Sequence, residues 1–301
     1  HYAPCCKTFN MPGLRIAIWL QGGIGSGNFS QGYPPLLTFI SKLSESNSVT
    51  VYSILPANRD FVPEGFTFRS AGFTIRNTKI RSLLLVLLFL KDHVASKYNI
   101  LHAFWVYPAG TIAVMLGKLL FIPTIITVQG GEAAAVKEIG YGNMLKPWLK
   151  KITLWTCEHA TCLNTISVFL FEQLRLHGLK RTDVVVISFG AETKRFIFND
   201  KQLGSALKII HVANLTEVKD QETLLRAFSI ISNEIPAQLR IVGGDYMNGK
   251  LQKLALALGL GNVEFTGAVA QVHLPEYYAW ADVMLHTSLH EGQSGVVMEA
   301  M

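Results

Sequence analysis

His290-Glu-Gly-Gln-Ser-Gly-Val-Val-Met-Glu-Ala-Met301 is the stretch from which the rest of the chain is read. Two carboxylates, Glu291 and Glu299, stand with seven residues between them. Before them runs an apolar, strand-like segment, Ala281-Asp-Val-Met-Leu-His-Thr-Ser288. A short loop holding Gly292, Gln293, Ser294 and Gly295 follows Glu291, and Val296 to Ala300 opens a helix. Strand, small-residue loop and helix start together build an anion site, because free backbone N–H groups and the positive end of the helix dipole point at one place. A carboxylate beside that field does not hold the anion. It accepts hydrogen bonds from hydroxyls, and a vicinal diol fits it two-pronged. The ligand these residue types suit is a phosphate ester carrying sugar hydroxyls, a nucleotide sugar.

The spacing Glu-Gly-x-x-x-x-x-x-Glu-Ala-Met resembles the nucleotide-sugar motif of the retaining glycosyltransferases of family 4, whose fold is GT-B. The resemblance implies that Glu299 binds the ribose hydroxyls, and that Glu291 with Gly292, Gln293, Ser294 and Gly295 meets the donor sugar and diphosphate. Asn214-Leu-Thr-Glu-Val-Lys-Asp220 resembles the family's Val-Gly-Arg-Leu-x-x-x-Lys-Gly segment, whose arginine and lysine clamp the diphosphate. Lys219 takes the lysine position, while Asn214 replaces the arginine and Asp220 the glycine. Asn214 still donates a neutral, weaker hydrogen bond. Leu239-Arg-Ile-Val-Gly-Gly-Asp245 matches a strand ending in glycines and adds Gly243 to the donor site; Leu274-Pro-Glu-Tyr-Tyr-Ala-Trp-Ala-Asp282 also matches. The likeness is dense over 207–301 and mainly architectural over 14–198.

In the first half, apolar runs alternate with helical periods, as in a parallel α/β sheet. The run 14–20 reads as a buried strand. The loop Gln21-Gly-Gly-Ile-Gly-Ser-Gly-Asn-Phe-Ser-Gln-Gly32 excludes a dinucleotide-binding fingerprint, because Ser30 stands where the third glycine belongs and no acidic residue ends the strand at 49–55. Resemblance puts Gly22 and Gly23 near the donor phosphates and acceptor. His102 matches the first histidine of a His-Ala-His strand end and is carried as a catalytic candidate with Lys219 and Glu291; Phe104 replaces the second histidine, and Gln129-Gly130-Gly131-Glu132 stands where the family has His-Gly.

Half of the 301 residues are hydrophobic and 16% are charged, so two sizeable cores are available; the net charge is +6. No Lys/Arg tract or aromatic-basic motif suggests nucleic acid. The four cysteines, Cys5, Cys6, Cys157 and Cys162, show no metal-ligand spacing and read as free thiols in a reducing cytoplasm. Leu83 to Leu90 is an unbroken apolar run inside a helix expected at 78–97, flanked by Arg76, Lys79, Arg81 and Lys91. Eight residues do not span a bilayer. The helix is expected to lie against the sheet, with a basic apolar face on a membrane surface as the alternative. Lys146, Lys150 and Lys151 beside Trp148 and Trp155 have the composition of an interfacial helix.

The expectation is α/β: two doubly wound Rossmann-like lobes facing across a cleft. Residues 1–13 form an extension in which Met11 is one candidate for the natural start, 14–190 an acceptor-side lobe, 191–206 a linker resembling the family's Asn-Gly-Val-Asp-x-x-x-Phe segment, and 207–301 a nucleotide-sugar lobe cut short at its C-terminus. The resemblance implies transfer of a hexose-type sugar, with retention, from a nucleoside diphosphate sugar to a glycan or lipid-linked acceptor, without metal or further cofactor. The free thiols suggest a cytoplasmic protein, and the basic apolar and basic-aromatic helices suggest a peripheral contact with an anionic membrane surface. The rivals are a nucleotide-sugar epimerase of the same fold and a non-enzymatic two-lobed sugar-binding protein.

Overall fold

Ala17 to Leu20 bury every side chain, the pattern of a strand covered on both faces. The computed structural model describes residues 13–27, 29, 32–72, 74–197, 201 and 204–301. Cys5, Cys6, Met11, Ser30 and residues 198–200, 202 and 203 of the expected linker lie outside them. The strand β1 (Arg15–Leu20) sits inside a seven-stranded sheet with β2 (Ser48–Ser53), β3 (Thr67–Ser70), β4 (Ile100–Phe104), β5 (Thr124–Val128), β6 (Cys162–Thr165) and β7 (Val184–Val186). The order is β3-β2-β1-β4-β5-β6-β7, and β1 pairs in parallel with both β2 and β4. This is a doubly wound order with its reversal at β1/β4. The helices are α1 (Pro34–Ser44), α2 (Thr78–Ala95), α3 (Thr111–Leu120), α4 (Pro147–His159) and α5 (Val168–Leu176).

A second sheet has the order β10-β9-β8-β11, from β8 (Leu207–Val212), β9 (Ala237–Val242), β10 (Val263–Gly267) and β11 (Val283–Met284). Its paired strands run parallel. The helices of this half are α6 (Gln221–Glu234), α7 (Lys250–Ala257), α8 (Leu274–Trp280) and α9 (Gly295–Ala300). Leu224, Leu225 and Phe228 of α6 pack with Ile209, Leu239, Ile241 and Leu251 in one apolar core. The chain reverses direction across this sheet between β8 and β11, so the ends of those two strands form its switch point.

Contacts group the chain into two compact units. One holds the residues up to Val128 with Ile152–Asn164 and Leu179–Val185; the other holds Gln129–Lys151, Thr165–Gly178 and Val186–Met301. Two segments that follow strands of the first sheet, Gln129–Lys151 after β5 and Thr165–Gly178 with α5 after β6, are therefore grouped with the second unit.

Two expectations about elements change. The strand at 100–106 ends at Phe104, because Trp105 turns left-handed at φ 66° and a non-strand turn carries the chain over Val106–Gly110 into α3. Pro108 offers no N–H for a ladder there. The strand at 281–288 shrinks to β11, with one more ladder bond from Leu285 N to Ile210 O. Its polar end, His286 to Ser288, makes side-chain hydrogen bonds in a loop instead.

Helix α2 shows why the chain needs its apolar run. Arg81, Leu85, Phe89 and His93 face inward at four-residue spacing. Phe89 is stacked or edge-on to Trp19, Tyr52, His93 and Tyr98. Phe89→Ala should cost about 3–5 kcal/mol, whereas Leu87→Ala on the opposite, exposed side of the helix should stay within about 0.5 kcal/mol. Urea unfolding of the two variants checks this; equal losses would contradict the inward assignment.

Candidate functional site

The loop after β8 is tied down before it reaches its functional side chain. Asn214 Oδ1 accepts from Gly244 N at 3.1 Å, and Leu215 N donates to Gly244 O. Gly243 lies where a Cβ would come 1.9 Å from Ala213 O, so only glycine lets the ends of β8 and β9 approach this closely. A short 3₁₀ turn, Glu217–Lys219, follows; Asp220 at φ 47° then caps α6 by accepting from Thr223 N. Buried Gln221 donates from Nε2 to Asn214 O at 3.0 Å.

The loop after β11 is bound to that one. Thr287 Oγ1 donates to the carbonyls of Lys219 and Asp220 at 3.0 and 2.9 Å, and Leu289 N donates to Val218 O. These bonds bring the Lys219 ammonium onto the Glu291 carboxylate. The same Glu291 oxygen accepts from His286 Nε2 at 3.1 Å and from Ser288 Oγ at 3.0 Å, and Ser294 Oγ is 3.3 Å from His286 Nε2. Burial by itself raises the Glu291 pKa; His286, Lys219 and Ser288 outweigh it and hold the carboxyl at about 2. Beneath the cluster, His211 stacks on His286 with ring centroids 5.9 Å apart. His211 Nδ1 donates to Leu285 O at 2.9 Å, leaving Nε2 as acceptor for Gln221, and burial pushes its pKa down to about 4, so it stays neutral.

The remaining expected residues divide. Gly292 is required for packing: a Cβ would stand 1.9 Å from Gln129 O. The loop against it is braced by buried Glu132, whose carboxylate accepts from Gly130 N at 2.8 Å and from Gln129 N at 3.4 Å. Gln293 holds Phe189 N at 3.1 Å, and Gly295 opens α9 with Ser294 before it. Glu299 stands apart from the Lys219–Glu291 cluster. It accepts from Tyr278 Oη at 3.0 Å and from Gln271 Nε2 at 3.3 Å, and burial raises its pKa despite those donors. Gly22 and Gly23 lie in the first unit, against the side chains of Leu55 and Trp105.

His102, expected to be catalytic, sits mid-strand in the first unit. Its Nε2 is 2.9 Å from Thr127 Oγ1 and its ring stacks on Phe104 at 4.3 Å. Burial lowers its pKa to about 4. These contacts pack the ring on its own sheet. The polar residues that sequence reasoning passed over are His286, Thr287, Ser288 and Tyr278. Three of them form the His-Thr-Ser loop just after β11, and a polar run following an apolar, strand-like segment was the available signal.

Residues 206–301 match the family described as Glycosyl transferases group 1. Among solved structures, the sucrose-phosphate synthase of Thermosynechococcus elongatus superposes with a TM-score of 0.76 at 18% identity, over 95% of this chain and 78% of that one. HepE from Anabaena, solved in complex with UDP-glucose, gives 0.70 at 16% identity over the same shares, 95% and 78%. A glycosyltransferase from Rickettsia africae gives 0.70 at 14%, over 97% and 77%. Among curated proteins none matches the chain. The α/β fold with parallel sheets is thus that of GT-B glycosyltransferases.

The depressed Glu291 pKa has a stability consequence. An ordinary glutamate titrates near 4.5, so the ionised cluster stabilises the fold above that pH, and the contribution drains away as pH falls toward 2. Glu291→Gln should cost on the order of 3 kcal/mol at neutral pH, with the deficit closing between pH 4.5 and 2. Denaturation midpoints across that window check it; a deficit independent of pH would remove the ionised pair.

Proposed function

We propose that the chain transfers a hexose from a nucleoside diphosphate sugar to a glycan or lipid-linked acceptor, with retained anomeric configuration and without a metal ion. One observation carries this reading: the two motif residues Lys219 and Glu291, 72 positions apart, meet as an ion pair at the carboxyl ends of β8 and β11, the switch point where open α/β sheets take their ligands. Lobe 207–301 is then the donor lobe and 14–190 the acceptor side, with Gly22 and Gly23 in its loop.

Chemistry assigns the parts. Breaking a glycosidic bond to a diphosphate places negative charge on the leaving oxygen, and a fixed ammonium is worth most where charge develops only in the transition state. Lys219 supplies that cation, oriented in the free protein by Glu291. Asn214 contributes through its Nδ2 group, which has no hydrogen bond among the described residues while Oδ1 holds Gly244. Gly243 keeps the backbone close to that spot, and Ser294 with the amides of 292–295 lines the phosphate side. Glu299 takes the ribose diol: its two oxygens accept one bond each from Tyr278 and Gln271, and a carboxylate has about four acceptor sites. The HepE complex with UDP-glucose is a relative of the same fold holding a donor of this class.

Mass-spectrometric detection of sugar transfer from nucleoside diphosphate hexoses tests the reading. Lys219→Ala should lower kcat by about 10²–10³-fold with a smaller change in KM, and restoring arginine at position 214 in that variant should recover part of the loss. Near-normal kcat would remove Lys219 from the leaving-group site, and a donor epimerised without transfer would select the epimerase. Glu299→Gln should weaken nucleoside diphosphate binding about 10- to 150-fold by calorimetry; an unchanged Kd would separate Glu299 from the ribose.

A further inference from the structure

Three helices of the first sheet share one side of it. The connections β3–α2–β4, β4–α3–β5 and β5–α4–β6 all step in the same direction along the strand order, and right-handed crossovers place such helices together. Side chains agree: Phe89 of α2 meets Trp19, whereas Phe39 of α1 meets His102 and Phe104, which point to the other face. Thr111 of α3 hydrogen-bonds Thr156 of α4 at 2.8 Å.

Helix α2 has a second apolar stripe on its outside. Ile80, Leu83, Leu87 and Val94 recur at three, four and seven residues, opposite the buried Arg81, Leu85, Phe89 and His93; Leu83 is 60% exposed, Leu87 53% and Val94 76%. Cations are interspersed and flank it: Arg76, Lys79, Lys91 and Lys97 are all exposed. Its one acidic residue, Asp92, is occupied by Tyr52 Oη at 2.8 Å and by Arg69 at 3.3 Å. The neighbouring helices continue the composition. On α3, Met115, Lys118 and Leu119 are exposed, and Phe121 just after it is 94% exposed. On α4, Lys151, Trp155 and His159 lie on one exposed face, with Lys118 Nζ 5.8 Å from the Trp155 ring centre. The single acid of α4, Glu158, accepts from the backbone N–H groups of Lys180 and Arg181.

We propose that this face docks on an anionic lipid bilayer, with the stripe of α2 lying in the plane of the headgroups. Aliphatic side chains enter the acyl boundary while lysine stems extend along it and keep their ammonium groups at the phosphates. Charge decides the occupant. The acids of these helices are committed to internal partners and the cations point out, so a second copy of the same face would meet like charge with like charge, whereas an anionic lipid surface complements it. Among the described residues no helix is long and apolar enough to cross a membrane, so the contact is peripheral. The surface is independent of the donor site and holds whether or not sugar transfer is found.

Co-sedimentation of the full chain with vesicles of phosphatidylcholine alone, and of phosphatidylcholine mixed with phosphatidylglycerol, is the test. Binding is expected to the mixed vesicles, to weaken with added salt, and to be far weaker to phosphatidylcholine. Leu83→Gln with Leu87→Gln should reduce the partition coefficient at least about tenfold. Lys79→Glu with Lys91→Glu should reduce it at least about 25-fold, at about fivefold for each cation removed. The charge-reversed pair, which leaves the apolar stripe intact, decides the matter if the glutamine pair melts early. Equal binding to both vesicle types, no binding to either, or charge-reversed protein that still binds would overturn the proposal. A dimer of the free protein that Leu83→Gln with Leu87→Gln dissolves would assign the face to a protein partner instead.

Discussion

Lys219 and Glu291 are held against each other by the loops that carry them. Thr287 gives its hydroxyl to the carbonyls of Lys219 and Asp220, and Leu289 N bonds Val218 O, so the ion pair rests on backbone ties rather than on two flexible side chains finding one another. That matters energetically. A solvent-exposed pair is worth about 0–1 kcal/mol, largely because ordering long side chains costs entropy. Here the ordering is done by the loops, and a carboxylate with three donors remains ionised far below its ordinary range. The rest of the proposed donor site is arranged about it: Gly243 permits the approach of β9, Gly292 permits the approach of the 129–132 loop, and the neutral His211 supports His286 from beneath.

Much of this was legible in the chain. Periodicity placed the strands and helices because apolar runs of five or six residues between helical segments suit strands covered on both faces, and β1, expected at 14–20, runs over Arg15–Leu20. That Lys219 and Glu291 belong together was legible only through the motif, since no local rule links residues 72 apart, and their direct ion pair was not foreseen. What escaped was the side-chain detail at strand ends. His286 and Ser288 looked like the continuation of a strand, and their true role depends on where the ladder with Ile210 stops. His102 looked like a strand-end histidine, yet β4 runs two residues past it and Thr127 of the neighbouring strand takes its ring nitrogen.

The apolar run of α2 divides into two stripes, one buried and one exposed. Its inner stripe packs on Trp19 and Tyr52, as a helix against a sheet must, while the outer one keeps Leu83, Leu87 and Val94 in solvent beside lysines. A helix apolar nearly all round would normally be buried on every side. Cost without an occupant is what makes the outer stripe informative, and the same face continues through Phe121 and Trp155.

The central claim is that a nucleoside diphosphate sugar is bound at the carboxyl ends of β8 and β11. Hydrogen–deuterium exchange with and without a nucleoside diphosphate reads that place directly, because bound phosphates and ribose slow amide exchange only where the backbone is engaged or ordered. The account predicts protection of 213–220 and 285–299, with β9 and α7 unchanged beyond Gly243 and Gly244. Protection confined to other loops, or none at saturating ligand, would contradict it.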